Sequence, residues 1–129
     1  MTNSLTTRQR RAHRRTLRAE LRRRTAANRL VSSVHRRPRS LTTVAIAAGV
    51  DKGNASGVAN GLRSVAKRLA LRPAEVARTR RTVTGGRTHQ THNVSRYTLG
   101  QVRILIRAYR PRKAEYKAAA ARINRLCTA

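Results

Sequence analysis

Apolar residues return at helical intervals along most of the chain, and almost nowhere at the two-residue interval of a half-buried strand. Residues 6–24 predict an arginine-rich helix whose only large apolar side chains are Leu17 and Leu21. A second helix is expected over 25–35, where Ala27, Leu30, Val31 and Val34 share one face before Pro38 closes it. Residues 41–50 (LTTVAIAAGV) read as an apolar helix ending at Gly49, and Asp51 can cap a further helix over 52–60. Leu62, Val65, Ala66 and Leu69 then make the i, i+3, i+4, i+7 stripe of another helix. Pro73 fits the first turn of a short helix over 73–80, with Glu75 near its positive end.

The pattern lapses over 81–97 (RTVTGGRTHQTHNVSRY), where Gly85-Gly86 and the Thr, His and Asn content read as a linker. Thr98-x-x-Gln101 is a capping box, and Leu99, Val102, Leu105, Ile106 and Tyr109 behind it share one helix face. Pro111 interrupts, and a last helix is expected over 112–126 with Tyr116, Ala119, Ala120 and Ile123 inward. Strand signals are almost absent and there is no internal repeat, so the expected fold class is all-α.

Charge decides what such helices are for. Among 129 residues, 31 Lys and Arg face four acids, Glu20, Asp51, Glu75 and Glu115, for a net charge of +27. A compact fold with that surplus repels itself, and an external polyanion is the simplest relief. Most of the cations are arginine, whose planar fork matches phosphate oxygens and the edge of guanine. Residues 1–40 carry +12, 41–70 only +3, 71–100 +5 and 101–129 +7, so the best core is expected in the second stretch. Phosphate or minor-groove contact is expected of Arg10, Arg11, Arg14, Arg15 and Arg18, of Arg39 and Arg63, and of Arg112, Lys113 and Lys117 in the last helix.

A membrane partner is not expected. No apolar run is long enough to span a bilayer, no secretory signal is evident, and Met1-Thr2-Asn3 is not a myristoylation start. With no Phe or Trp and three Tyr, the chain can hardly build the aromatic platforms of single-strand and RNA-sheet binders. Duplex DNA therefore moves ahead, and a cytoplasmic setting on DNA is expected.

The segment Val44 to Gly61 (VAIAAGVDKGNASGVANG) has the logic of helix, sharp turn, helix. Ala45 is small where two helices cross, Gly49 supplies the turn, Val50 plugs the angle, and Ala55 and Val58 face the core. Lys52, Gly53, Asn54, Ser56, Gly57 and Asn60 are left outside, where the N-terminal part of a recognition helix meets base edges. The segment resembles the helix-turn-helix of the lactose-repressor family, roughly VAxxAGVSxxTVSRVLNG, at Val44, Ala45, Ala48, Gly49, Val50, Ser56, Val58, Asn60 and Gly61. The whole organisation looks like that of small immunity repressors of actinobacterial phages, residues 96–121 included. The resemblance implies a helix-turn-helix DNA-binding domain over 25–80, flanked by an Arg-rich arm over 1–24, a linker over 81–97 and a small helical domain over 98–129.

In the lactose-repressor family bases are read at the positions held here by Lys52, Gly53 and Gly57. Two of the three lack a side chain, so base reading falls to Lys52, Asn54, Ser56 and Asn60, with close backbone approach at Gly53 and Gly57. The function expected is sequence-specific regulation of transcription, as a repressor occupying its operator. A sequence-independent packaging protein and an RNA-binding component of a ribonucleoprotein are the other classes the charge allows.

The remaining candidates are weaker. His89-x-x-His92 has metal-like spacing but lies in the Thr-rich stretch without a nearby Cys or carboxylate, so no metal is expected. Cys127 has no catalytic partner, no two carboxylates are placed for acid–base work, and no Gly-rich loop follows a strand. Neither an enzyme, a cofactor nor a small-molecule ligand is expected. Leu105, Ile106 and Tyr109 could serve as the core of the C-terminal domain or as a homodimer interface. The ending Leu126-Cys127-Thr128-Ala129 resembles the small apolar degradation tails of some phage immunity repressors, though it departs from the usual Leu-Ala-Ala.

Overall fold

The arginine-rich helix and the helix expected after it are a single element, α1 (Thr7–Arg36), in the structure, a computed structural model that describes residues 4–82 and 89–129 apart from the side chains of residues 81, 82, 89 and 90. No Gly or Pro falls between positions 7 and 36, so nothing breaks it at residue 25. A capping box starts it: the Gln9 amide donates to Thr6 Oγ1 at 3.3 Å and the Thr6 amide donates to Gln9 Oε1 at 2.8 Å. Arg37, held extended ahead of Pro38, ends it.

Helices α2 (Leu41–Ala47) and α3 (Lys52–Arg68) meet at a tight turn. Gly49 takes φ 92°, a left-handed conformation that other residues adopt only under strain, and the Val50 amide donates to Ala45 O at 3.1 Å. Asp51 caps α3, its Oδ2 accepting from the Asn54 amide at 3.3 Å. The helices expected over 52–60 and around 62–69 are one, because Ala55, Val58, Ala59, Leu62, Val65 and Ala66 continue a single buried side through Gly61.

The main departure from the expected all-α fold is a pair of strands. Of the residues expected as a short helix over 73–80, those from Glu75 onward lie in β1 (Glu75–Thr82), and the expected linker contains β2 (His89–Arg96). The two are antiparallel, from Glu75 opposite Arg96 to Thr82 opposite His89. Gly85-Gly86 lies outside the described residues. The hairpin is rooted where Arg39 and Tyr97 exchange backbone hydrogen bonds of 3.1 and 2.9 Å, and where Arg96 Nη1 pairs with Glu75 Oε1 at 3.4 Å. Pairing with Arg39 on one side and β-branched Val76, Thr79, Thr91 and Val94 favour extended backbone here.

The expected capping box does open α4 (Leu99–Ala108), and α5 (Ala114–Thr128) follows Pro111. One buried cluster runs from Val34 through α2 and α3 to Val102, Leu105, Ile106, Tyr109, Ile123 and Leu126. Residues from both sides of the hairpin thus share one core. Leu105, Ile106 and Tyr109 are used inside it, which accounts for their apolar character without a second copy.

Candidate nucleic-acid interface

Helix α3 is divided into three sides. Ala55, Ala59, Leu62 and Ala66 are buried. Gly57 and Gly61 receive two tyrosines from the C-terminal part of the chain: a Cβ on Gly57 would stand 2.7 Å from Tyr116 Cζ, and one on Gly61 would stand 2.6 Å from Tyr109 Cε2. Lys52, Ser56, Asn60, Arg63 and Lys67 follow one another at helical intervals on the third side, and all five are exposed. Burial pushes the Tyr109 hydroxyl above the usual phenol range, with the neighbouring Tyr116 adding to the shift.

The structure therefore brings together three of the four residues expected to read bases. Lys52, Ser56 and Asn60 share the exposed stripe. Asn54 does not: its Nδ2 donates to Asp51 Oδ1 at 2.9 Å, and it lines a cavity of about 380 Å³ against Ala118, Ala119 and Arg122 of α5. Arg122 closes that side by donating from Nη1 to Gly49 O at 2.8 Å, which fixes the turn itself. The two glycines also part company. Gly53 is open, a Cβ there meeting only Asp51 Oδ2 at 3.5 Å, whereas Gly57 is taken up by Tyr116. Close backbone approach from outside remains geometrically open at Gly53 alone.

The borders of the stripe are basic. Arg63 Nη1 donates to Asn60 Oδ1 at 2.7 Å and Nη2 to Thr42 Oγ1 at 3.3 Å, so its guanidinium bridges α3 and α2 while staying exposed. Lys113 Nζ lies 5.3 Å from the centre of the Tyr116 ring, and so stands beside Gly57 at the edge of α3. Arg112 and Lys117 are exposed near it in the chain, and Arg39 is half-buried at the root of the hairpin. The hairpin itself comes alongside: Asn93, Val94, Ser95 and Tyr97 line a cavity of about 350 Å³ with Arg63. Arg78 and Arg80 are exposed on β1, opposite Asn93 and Thr91.

Lys67, Arg78 and Arg80 were not singled out by the sequence reading. For Lys67 the signal is its place eleven residues after Ser56, which one continuous helix turns into a shared face. For the hairpin it is Gly85-Gly86 set between two stretches rich in Thr and Val. Arg10, Arg11, Arg14, Arg15 and Arg18 are all exposed on α1.

Among the described residues, no three His, Cys, Asp or Glu side chains gather where a metal could bind, and no helix is long and apolar enough to cross a membrane. His92 is exposed on β2 opposite Thr79, while the side chain of His89 lies outside the described residues. Burial raises the pKa of the Cys127 thiol, partly offset by Arg103, which keeps it in its unreactive protonated form at neutral pH. No protein-family model, curated protein or solved structure matches the chain.

Proposed function

We propose that the chain is a sequence-specific duplex-DNA-binding protein that regulates transcription by occupying an operator. The observation that carries this reading is the stripe of Lys52, Ser56, Asn60, Arg63 and Lys67. It is the side of α3 that the other described residues leave uncovered, on a helix fixed by the turn at Gly49 and by two tyrosines behind it. A helix of this kind fits the major groove, about 12 Å wide. There Lys52 reaches guanine, Asn60 is the side chain suited to adenine, and Arg63, Lys67 and Lys113 meet phosphates. Arg78 and Arg80 on the neighbouring hairpin extend the phosphate contact to one side.

Selection of bound sequences from a random duplex pool, with Lys52→Ala and Asn60→Ala as controls, tests the reading. The expected outcome is a recovered motif. Each substitution should then cost about tenfold or more in discrimination at one position of that motif while leaving affinity for unrelated duplexes within about twofold. A reporter gene downstream of the motif should be silenced by the chain. No enrichment over random sequence would replace this reading with sequence-independent packaging, the function that a diffuse charge of +27 also serves.

A further inference from the structure

Helix α1 carries a line of charge that the fold does not use. At about 100° per residue, Arg8, Arg11, Arg14, Arg15, Arg18 and Arg22 fall within an arc of about 120°, and Arg29 and Arg36 continue the same line. The line exists only because α1 is unbroken from Thr7 to Arg36. Its gaps are filled by the hydroxyls of Thr25, Ser32 and Ser33, with no acidic or large apolar residue. Glu20, the only acid on the helix, lies on the opposite side. Val31 and Val34, which pack on the core, also point well away from the arc.

All eight arginines are exposed. Near the C-terminal end, Arg29, Arg36 and Arg37 line a shallow concavity of about 520 Å³ with those same three hydroxyls. Guanidinium forks and free hydroxyls are the donors that phosphate oxygens accept from; here these are the arginines with Ser32 and Ser33, since Thr25 Oγ1 already donates to Leu21 O at 2.8 Å. The line is about 42 Å long, more than the roughly 34 Å of one turn of B-form DNA. Without an external anion it opposes its own helix, since Arg11–Arg15, Arg14–Arg18 and Arg18–Arg22 are like charges at i, i+4. An anionic membrane does not fit, because residues 7–29 offer only Leu17 and Leu21 as large apolar side chains to enter it.

We propose that this face of α1 is a second duplex-binding surface, distinct from the stripe on α3: a track for backbone phosphates that holds any DNA sequence alike. It rests on the reading above only in taking duplex DNA as the polyanion. The two surfaces divide the work, with α1 supplying affinity and α3 supplying discrimination. Arg10, Arg23 and Arg24 lie outside the arc and take no part.

The test compares two variants of the full chain that each lose three charges. One carries Arg11→Gln, Arg14→Gln and Arg18→Gln on the arc; the other carries Arg10→Gln, Arg23→Gln and Arg24→Gln off it. Gln matches Arg in helix propensity, so the helix itself is not in question. Binding to an arbitrary 30-base-pair duplex, a length of about 100 Å, is followed by fluorescence anisotropy across a range of NaCl concentrations. The arc variant should lose about 2.7 from the slope of log K against log salt, at about 0.9 per phosphate contact, and the off-arc variant less than about 0.9. Equal losses would assign the effect to overall charge and overturn the proposal, as would an RNA hairpin displacing the duplex at equimolar competition from the wild type but not from the arc variant. These outcomes do not depend on whether a motif is recovered, so failure of the α3 reading is told apart from failure of this one.

Discussion

Three glycines on one helix have three different surroundings, and their substitution by alanine should rank accordingly. Alanine in place of glycine favours a helix by about 1 kcal/mol before any contact is counted. At Gly53 the added Cβ meets only Asp51 Oδ2 at 3.5 Å, an ordinary contact, so Gly53→Ala should stabilise the fold. At Gly57 it runs into the Tyr116 phenol, which is half-buried and can swing aside at the expense of its contact with Lys113. The gain and the clash then largely offset. At Gly61 it stands 2.6 Å from Tyr109 Cε2, and that ring is only 9% exposed and cannot move without disturbing the core. Overpacking of that kind costs about 1–3 kcal/mol, so Gly61→Ala should destabilise despite the propensity gain. Urea denaturation of the three variants checks the order; a Gly61→Ala protein as stable as Gly53→Ala would mean that Tyr109 does not pack on α3 as described.

At the scale of elements, the two ends of α3 are an instructive pair. Its start was legible because Gly49, Val50 and Asp51 each carry a local signal for a turn and a cap. Its end near Leu69 was legible from the apolar stripe, but what stops it was not, because the residue that turns left-handed there is Ala70 and not a glycine, at φ 52°. The Leu71 amide donates to Ala66 O at 2.9 Å and the Ala70 amide to Lys67 O at 3.2 Å, the bonding that glycine usually terminates. An alanine in that conformation costs about 1–2 kcal/mol. Ala70→Gly should therefore raise stability by about 0.5–1 kcal/mol once glycine's extra freedom in the unfolded chain is deducted, measured by the same urea titration. A loss would show that Ala70 is not held left-handed.

The hairpin was hidden for a different reason. Its strands carry Arg78 and Arg80 on one side and Thr79 and His92 on the other, so neither face shows the apolar alternation of a half-buried sheet, and Val76 is itself 58% exposed. Asn54 was misplaced because an exposed position on a helical wheel does not reveal that a side chain will bond its own cap. The stripe of Lys52, Ser56 and Asn60 could be anticipated because it is simply what remains when the apolar positions of α3 are turned inward.

For the whole molecule, the decisive quantity is a net charge of +27 with one ion pair, Arg96 to Glu75, among the described residues. Self-repulsion over distances of about 10 Å is felt at 0.1 M salt and largely screened at 1 M, where the screening length is about 3 Å. The free chain should therefore melt at a higher temperature as NaCl rises from 0.05 to about 0.5 M. The complex with duplex DNA should behave in the opposite way. Ligand at 100 times its Kd adds about 2.7 kcal/mol to the folded state, and that increment shrinks as salt weakens each phosphate contact. The two melting curves should approach one another as salt is raised, from far apart at low ionic strength. NaCl is the salt to use, because sulfate would add stabilisation through exclusion from the surface. Thermal melts followed by circular dichroism, with and without an excess of duplex, give both curves. A free-chain melting temperature that stays flat across this range would remove self-repulsion from the argument, and with it the physical reason for expecting a polyanion. A rising curve for the free chain beside a falling one for the complex would mean that phosphates replace with direct contacts what salt supplies only by screening.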